Sequence, residues 1–198
     1  TAFPTRRYIL KHMTATCALP YIVPASCFGA DAPSNRVTLG CIGVGGRGTQ
    51  NLRTFLGHRG CRVLAVCDVN RKRAQQAGRI VDDHYGNRDC TVYADHRDLL
   101  AQKEIDAVSI ASPDQWHVLQ AVEAARSGKD IFLEKPLGLS VRENIRLREA
   151  VRRYERVFQF GTQQRSDQNF RFACELVRNG YLGTPEKITV AVPASRAV

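Results

Sequence analysis

The chain has 198 residues, 43% hydrophobic and 24% charged, which suits a folded domain with a sizeable core and excludes a low-complexity or fibrous protein. No apolar run approaches the roughly 20 residues that cross a bilayer as a helix, so no membrane span is expected. The formal net charge of +10 raises the question of nucleic acid, but the basic residues are scattered in short runs such as Arg71-Lys72-Arg73 and Arg152-Arg153. Such runs are usual on solvated helix faces, and a basic surface equally suits a small anionic ligand such as a pyrophosphate, so no nucleic-acid partner is expected. The seven cysteines form no CxxC pair and no repeated zinc spacing, which argues against a structural metal and against a disulfide scaffold.

Taken in chain order, residues 1–30 have the layout of an export leader. Arg6 and Arg7 precede a short apolar stretch over 13–23. The run Thr5-Arg6-Arg7-Tyr8-Ile9-Leu10-Lys11 resembles the twin-arginine type, with Ile9 where phenylalanine is usual. That route carries proteins already folded around a cofactor, which reconciles free cysteines with a periplasmic or other extracytoplasmic location. The alternative is a plain basic tail on a cytoplasmic protein.

From residue 35 the sequence predicts strands at 37–44, 63–69, 107–111, 131–133 and 157–160. Helices are predicted between and after them at 46–56, 71–84, 115–127 and 141–154. Strands alternating with helices of this length imply βαβ units and a parallel sheet buried on both faces, an α/β doubly wound sheet of the Rossmann kind. Ser112-Pro113-Asp114-Gln115 predicts an N-cap serine with proline at the first helical position, and Ser140-Val141-Arg142-Glu143 predicts a capping box. Gly128 and Gly180 are expected to close helices, the second over 167–179. The Rossmann domain is placed at 35–160. Residues 161–198 read as a linker helix and a first strand, 187–192, of a second, α+β domain that is not completed.

Four features carry chemistry. Gly43-Val44-Gly45-Gly46-Arg47-Gly48 follows a predicted strand and opens a helix, the context in which a GxGxxG turn lays a dinucleotide pyrophosphate on a helix N-terminus. Asp68 ends the second strand, where its carboxylate can accept hydrogen bonds from the adenosine ribose and repel a 2′-phosphate. It therefore favours NAD over NADP, with Arg71 nearby to soften the preference. Ser112, Pro113, Trp116 and His117 follow the third predicted strand, whose carboxyl end is expected at the switch point beside the glycine turn, so that Trp116 and His117 would face cofactor or substrate. Glu134-Lys135-Pro136 ends the next strand; Lys135 there could move a proton at a developing alkoxide, and a cis bond before Pro136 is conceivable.

Together these motifs resemble the glucose–fructose oxidoreductase / inositol dehydrogenase family over about residues 36–192. The resemblance implies NAD(P) as cofactor, a sugar, cyclitol or related polyol as substrate, Lys135 in the active site, and Gln163 and Arg165 near cofactor or substrate. It also implies a homo-oligomer at full length, and a second open-faced β-sheet domain that supplies further catalytic residues. The 198-residue chain alone is accordingly expected to bind cofactor without turning over substrate. An NAD-dependent glycosidase of related fold and a non-catalytic cofactor-binding protein are the alternatives; relatives of the glycosidase kind tend to lack the lysine that stands here at Lys135.

Overall fold

The computed structural model of the protein describes residues 35–191. The expected leader lies outside the described residues. Six strands form one sheet: β1 (Val37–Ile42), β2 (Cys61–Cys67), β3 (Thr91–Tyr93), β4 (Ala107–Ile110), β5 (Asp130–Glu134) and β6 (Phe158–Gly161). All pairings are parallel and the spatial order is β3-β2-β1-β4-β5-β6. The helices are α1 (Gly46–Leu56), α2 (Arg71–Tyr85), α3 (His96–Leu100), α4 (His117–Arg126), α5 (Val141–Arg153) and α6 (Gln168–Arg178). This is the doubly wound Rossmann sheet that the alternation predicts.

Alternate strand residues build two cores. Leu39, Cys41, Val63 and Val66 pack with Leu52 and Leu56 of α1 and with Ala77 and Val81 of α2. Ile42, Val108, Ile110, Ile131 and Leu133 pack on the other face with Leu99, Ala121, Ala124 and Leu147 from α3, α4 and α5. Burial on both faces is why the strands read as apolar runs, and each fully buried leucine or isoleucine contributes roughly 1.5–3 kcal/mol. Burial pushes the Cys41 and Cys67 thiols up to about 12, so both stay protonated and pack as small hydrophobes. Among the described residues no helix is long and apolar enough to cross a membrane.

Several boundaries move for local reasons. β1 stops at Ile42 because Gly43 turns to φ +78°, and β2 stops at Cys67, leaving Val69 92% exposed. Ser112 is not an N-cap: its hydroxyl donates to Gln120 Oε1 at 2.6 Å, and a 3₁₀ turn, Asp114–Trp116, intervenes before α4. The capping box at Ser140 and Glu143 forms as predicted, and Gly128 and Gly180 take positive φ just past α4 and α6. The strand expected at 187–192 is not present over 187–191. Those residues are exposed, and among the described residues no strand pairs with them. β3 and α3 were not predicted at all.

Candidate functional site

In a sheet of this order the chain reverses direction between β1 and β4, so the loops leaving their carboxyl ends diverge and leave a crevice. The turn after β1 is shaped by its glycines. A Cβ on Gly43 would lie 2.4 Å from Ser112 N, and one on Gly48 would lie 1.8 Å from the Gly43 carbonyl oxygen. At Gly46 a Cβ would meet nothing within 4 Å, so the turn is crowded within and open without. Helices α2, α3, α5 and α6 are each capped by a side chain, from Asn70, Asp95, Ser140 and Asp167. Helix α1 begins at Gly45 with no side-chain cap and no acidic residue in its first turn. Its first N–H groups and the positive end of its dipole are therefore offered to an anion, and the turn fits a pyrophosphate.

Asp68 stands beside this turn, 9% exposed. Its Oδ2 accepts from Val44 N at 3.0 Å and its Oδ1 from Asn70 N at 2.8 Å. Each carboxylate oxygen keeps a second acceptor direction. The carboxylate borders an open cavity of about 350 Å³, whose wall also includes Gly43, Ser112, Pro113 and Trp116. That size lies within the range of small-ligand pockets. Trp116 is on the cavity and 45% exposed.

His117 corrects the sequence expectation. It is 1% exposed, with Nδ1 2.7 Å from the Pro136 carbonyl oxygen and Nε2 2.9 Å from that of Ser112. Turned into the protein, it ties the loop after β4 to the loop after β5 and does not line the cavity.

Glu134 is likewise inward. Its buried carboxylate accepts from Arg47 Nε at 2.7 Å and Asn51 Nδ2 at 3.0 Å, both on Oε1, while Lys135 N approaches Oε2 at 3.3 Å. Burial alone would raise its pKa, but the Asn51 and Arg47 hydrogen bonds and the Arg47 charge outweigh that and hold it below the usual glutamate range. The pair with Arg47 therefore persists through neutral pH and is lost only on acidification. Lys135 is exposed, between Glu134, fixed to α1, and Pro136, joined through a cis bond and fixed to α4 by His117. Its backbone is anchored on both sides while its side chain is free to reach outward. Gln163 and Arg165 lie in an exposed 3₁₀ turn after β6, one strand along, since Gly161 pairs with Glu134. Gly43, Asp68, Ser112, Pro113 and Trp116 thus share one cavity, and Lys135, Gln163 and Arg165 occupy adjoining strand ends outside it.

Sequence reasoning missed the cavity's far wall. Asp95, His96 and Arg97 reach it from the start of α3 and Glu123 from α4, with His96 Nε2 2.6 Å from Glu123 Oε2. Hydrogen bonds from the Arg97 side chain and backbone hold the Asp95 carboxyl down to about 2, so it stays anionic. The available signal was the β-rich Thr91-Val92-Tyr93 followed by the N-cap residue Asp95.

A doubly wound sheet with an uncapped glycine turn at its switch point and a carboxylate on the next strand defines a dinucleotide-binding protein. The family model described as an oxidoreductase family with an NAD-binding Rossmann fold, GFO_IDH_MocA, matches residues 37–162, and the chain belongs to that family. It is 37% identical over 111 residues to a glycosyl hydrolase family 109 protein of Saccharopolyspora erythraea, covering 54% of this chain and 24% of that one. It is 32% identical over 149 residues to an inositol 2-dehydrogenase of Burkholderia multivorans, covering 74% of this chain and 43% of that one. Scyllo-inositol dehydrogenase from Lactobacillus casei, solved with bound NAD(H) and scyllo-inositol, superposes with a TM-score of 0.67 at 26% identity, over 75% of this chain and 42% of that one. The chain thus spans less than half the length of these relatives.

Proposed function

We propose that the protein is an NAD(H)-dependent oxidoreductase acting on a sugar, cyclitol or related polyol. The observation that carries this reading is the convergence, at one end of the sheet, of an uncapped glycine turn beside Asp68 with an exposed Lys135 whose neighbours are both anchored. The polyol class comes from the dehydrogenases to which the chain is similar. Gly45, Gly46 and the first turn of α1 would hold the pyrophosphate, with Arg47 beside it. Asp68 would accept from the adenosine ribose hydroxyls and so favour NAD(H) over NADP(H). Ser112, Pro113 and Trp116 would form the opposite wall. A bound nicotinamide supplies a hydride acceptor or donor at C4. Lys135 Nζ would take the proton of the reacting hydroxyl on oxidation and return it to that oxygen on reduction. Gln163 and Arg165 would contact cofactor or substrate from the adjoining strand end.

The test is an assay of inositols and aldoses with NAD⁺ on the protein as its cell produces it, following NADH absorbance, since the 198 residues alone are expected to bind cofactor without turnover. Net NADH formation that falls by about 10²–10⁴-fold in Lys135→Ala is expected. A second reading, NAD-dependent glycoside cleavage, is favoured by the similarity to the family 109 protein. Glycoside hydrolysis with no net NADH would establish it in place of the first.

We also propose export by the twin-arginine route, on the strength of Arg6 and Arg7 ahead of the apolar stretch. Replacing both with lysine should strand the protein in the cytoplasm on fractionation, and equal distribution of the two forms would refute the leader.

A further inference from the structure

We propose that Glu134 is a positioning residue: its carboxylate ties the backbone of Lys135 to the first two turns of α1 and so sets where the lysine stands relative to the glycine turn. The inference rests on reading Lys135 as the proton-transferring group and the turn as the dinucleotide site. Glu134 itself touches no ligand. It is 2% exposed, and its hydrogen-bond partners are all protein groups. The hydrogen bonds that hold its pKa below the usual glutamate range keep it ionised at neutral pH, so it has no proton to give.

Each oxygen of the carboxylate has its own task. Oε1 accepts from Arg47 Nε at 2.7 Å and from Asn51 Nδ2 at 3.0 Å, while Oε2 accepts from the Lys135 N–H at 3.3 Å. Arg47 and Asn51 are four positions apart on α1 and therefore share one face of it, directly after the glycine turn. On the other flank β6 closes in. Gly161 pairs with Glu134, and a Cβ on Gly161 would lie 3.1 Å from Glu134 Cα and 2.9 Å from the Leu133 carbonyl oxygen. The end of β5 is thus held between α1 and β6, immediately before Lys135. Three N–H donors converge on this one side chain, and only a group that accepts at both oxygens satisfies them. Glutamine would keep its carbonyl oxygen toward Arg47 and Asn51 and turn its NH₂ against the Lys135 N–H, donor facing donor. Because α1 starts at the glycine turn, the carboxylate puts that turn and Lys135 in one frame. Misplacing a reacting group by about 1 Å can cost about 10²-fold in rate.

The experiment is a double-mutant cycle on the protein as its cell produces it, assayed with NAD⁺ and the polyol that forms NADH fastest, beside calorimetric titration with NADH and thermal melts. Glu134→Gln should lower kcat by about ten- to a hundredfold while leaving the KM for NAD⁺ and the NADH affinity within about twofold. Added to Lys135→Ala, it should cost no more than about twofold further, because no amine is then left to place. Should Glu134→Gln fail to fold, Asn51→Ala removes one of the α1 donors and touches no ligand. Its smaller loss of kcat, about fivefold, should vanish in the same way in Lys135→Ala. Losses that multiply in the double variant, or a matching loss of NADH affinity, would assign Glu134 to the fold or to the cofactor site and overturn the proposal. So would an unchanged kcat. Turnover that survives Lys135→Ala would instead remove the role given to the lysine, and a wild type that binds no NADH would remove the dinucleotide reading; either takes this inference with it.

Discussion

Gly48→Ala should lose dinucleotide binding and about 3 kcal/mol of folding stability, the upper end of what overpacking costs. The added methyl would stand 1.8 Å from the Gly43 carbonyl oxygen and 2.9 Å from its carbonyl carbon. Both are backbone atoms, so no rotamer change relieves the overlap and the turn itself must open. The turn cannot open freely. Gly43 N donates to the Cys67 carbonyl at 2.8 Å, and the Thr49 hydroxyl to the Val44 carbonyl at 2.9 Å, so movement at Gly43 or α1 breaks bonds that fasten the turn to β2 and to the helix. Gly46→Ala is the matched control. A Cβ there meets nothing within 4 Å, and in a helix alanine is favoured over glycine by roughly 0.5–1 kcal/mol. Urea denaturation should rank Gly46→Ala at or above the wild type and Gly48→Ala far below it. Equal stability of the two variants would show that the close approach at Gly48 is not a constraint on the fold.

His117→Ala should cost about 3–5 kcal/mol, although no ligand touches the ring in this account. The imidazole is buried between α4 and the loop after β5, and both of its nitrogens face carbonyl oxygens, of Pro136 and Ser112. Truncation empties a ring-sized volume in the packed interior. It also removes the ring N–H donor from between two carbonyls that belong to different loops. His117→Gln restores a donor at similar reach and should recover part of the loss. A cost below about 1 kcal/mol for alanine, read from urea midpoints at unchanged slope, would mean that the two loops are held by other contacts.

What the sequence disclosed and what it hid follow from range. The start of α1 was legible because the Gly43 turn lies only a few residues before it, and the start of α5 because its capping box spans only Ser140 to Glu143. β3 and α3 were hidden because three and five residues are too short to display a period. The site residues whose roles changed are those with distant partners. Glu134 meets Asn51 across 83 positions, Ser112 spends its hydroxyl on Gln120, and His117 bonds a carbonyl 19 residues away. A polar residue at a helix start after a strand looks the same in sequence whether it faces a ligand or the protein's own main chain. The glycine turn escaped that ambiguity because backbone geometry, and not a remote partner, dictates its residue types.

For NAD(H) in the groove beside the glycine turn the chain carries its own reporter. Trp116 is the only tryptophan and stands on the cavity wall opposite Asp68. Titration with NADH, exciting the indole, should give saturable quenching of Trp116 with energy transfer to the bound nicotinamide at one site per chain. NAD⁺ should reverse it, and Gly48→Ala should abolish it. Quenching that never saturates, or that persists unchanged in Gly48→Ala, would mean that the groove does not hold the dinucleotide.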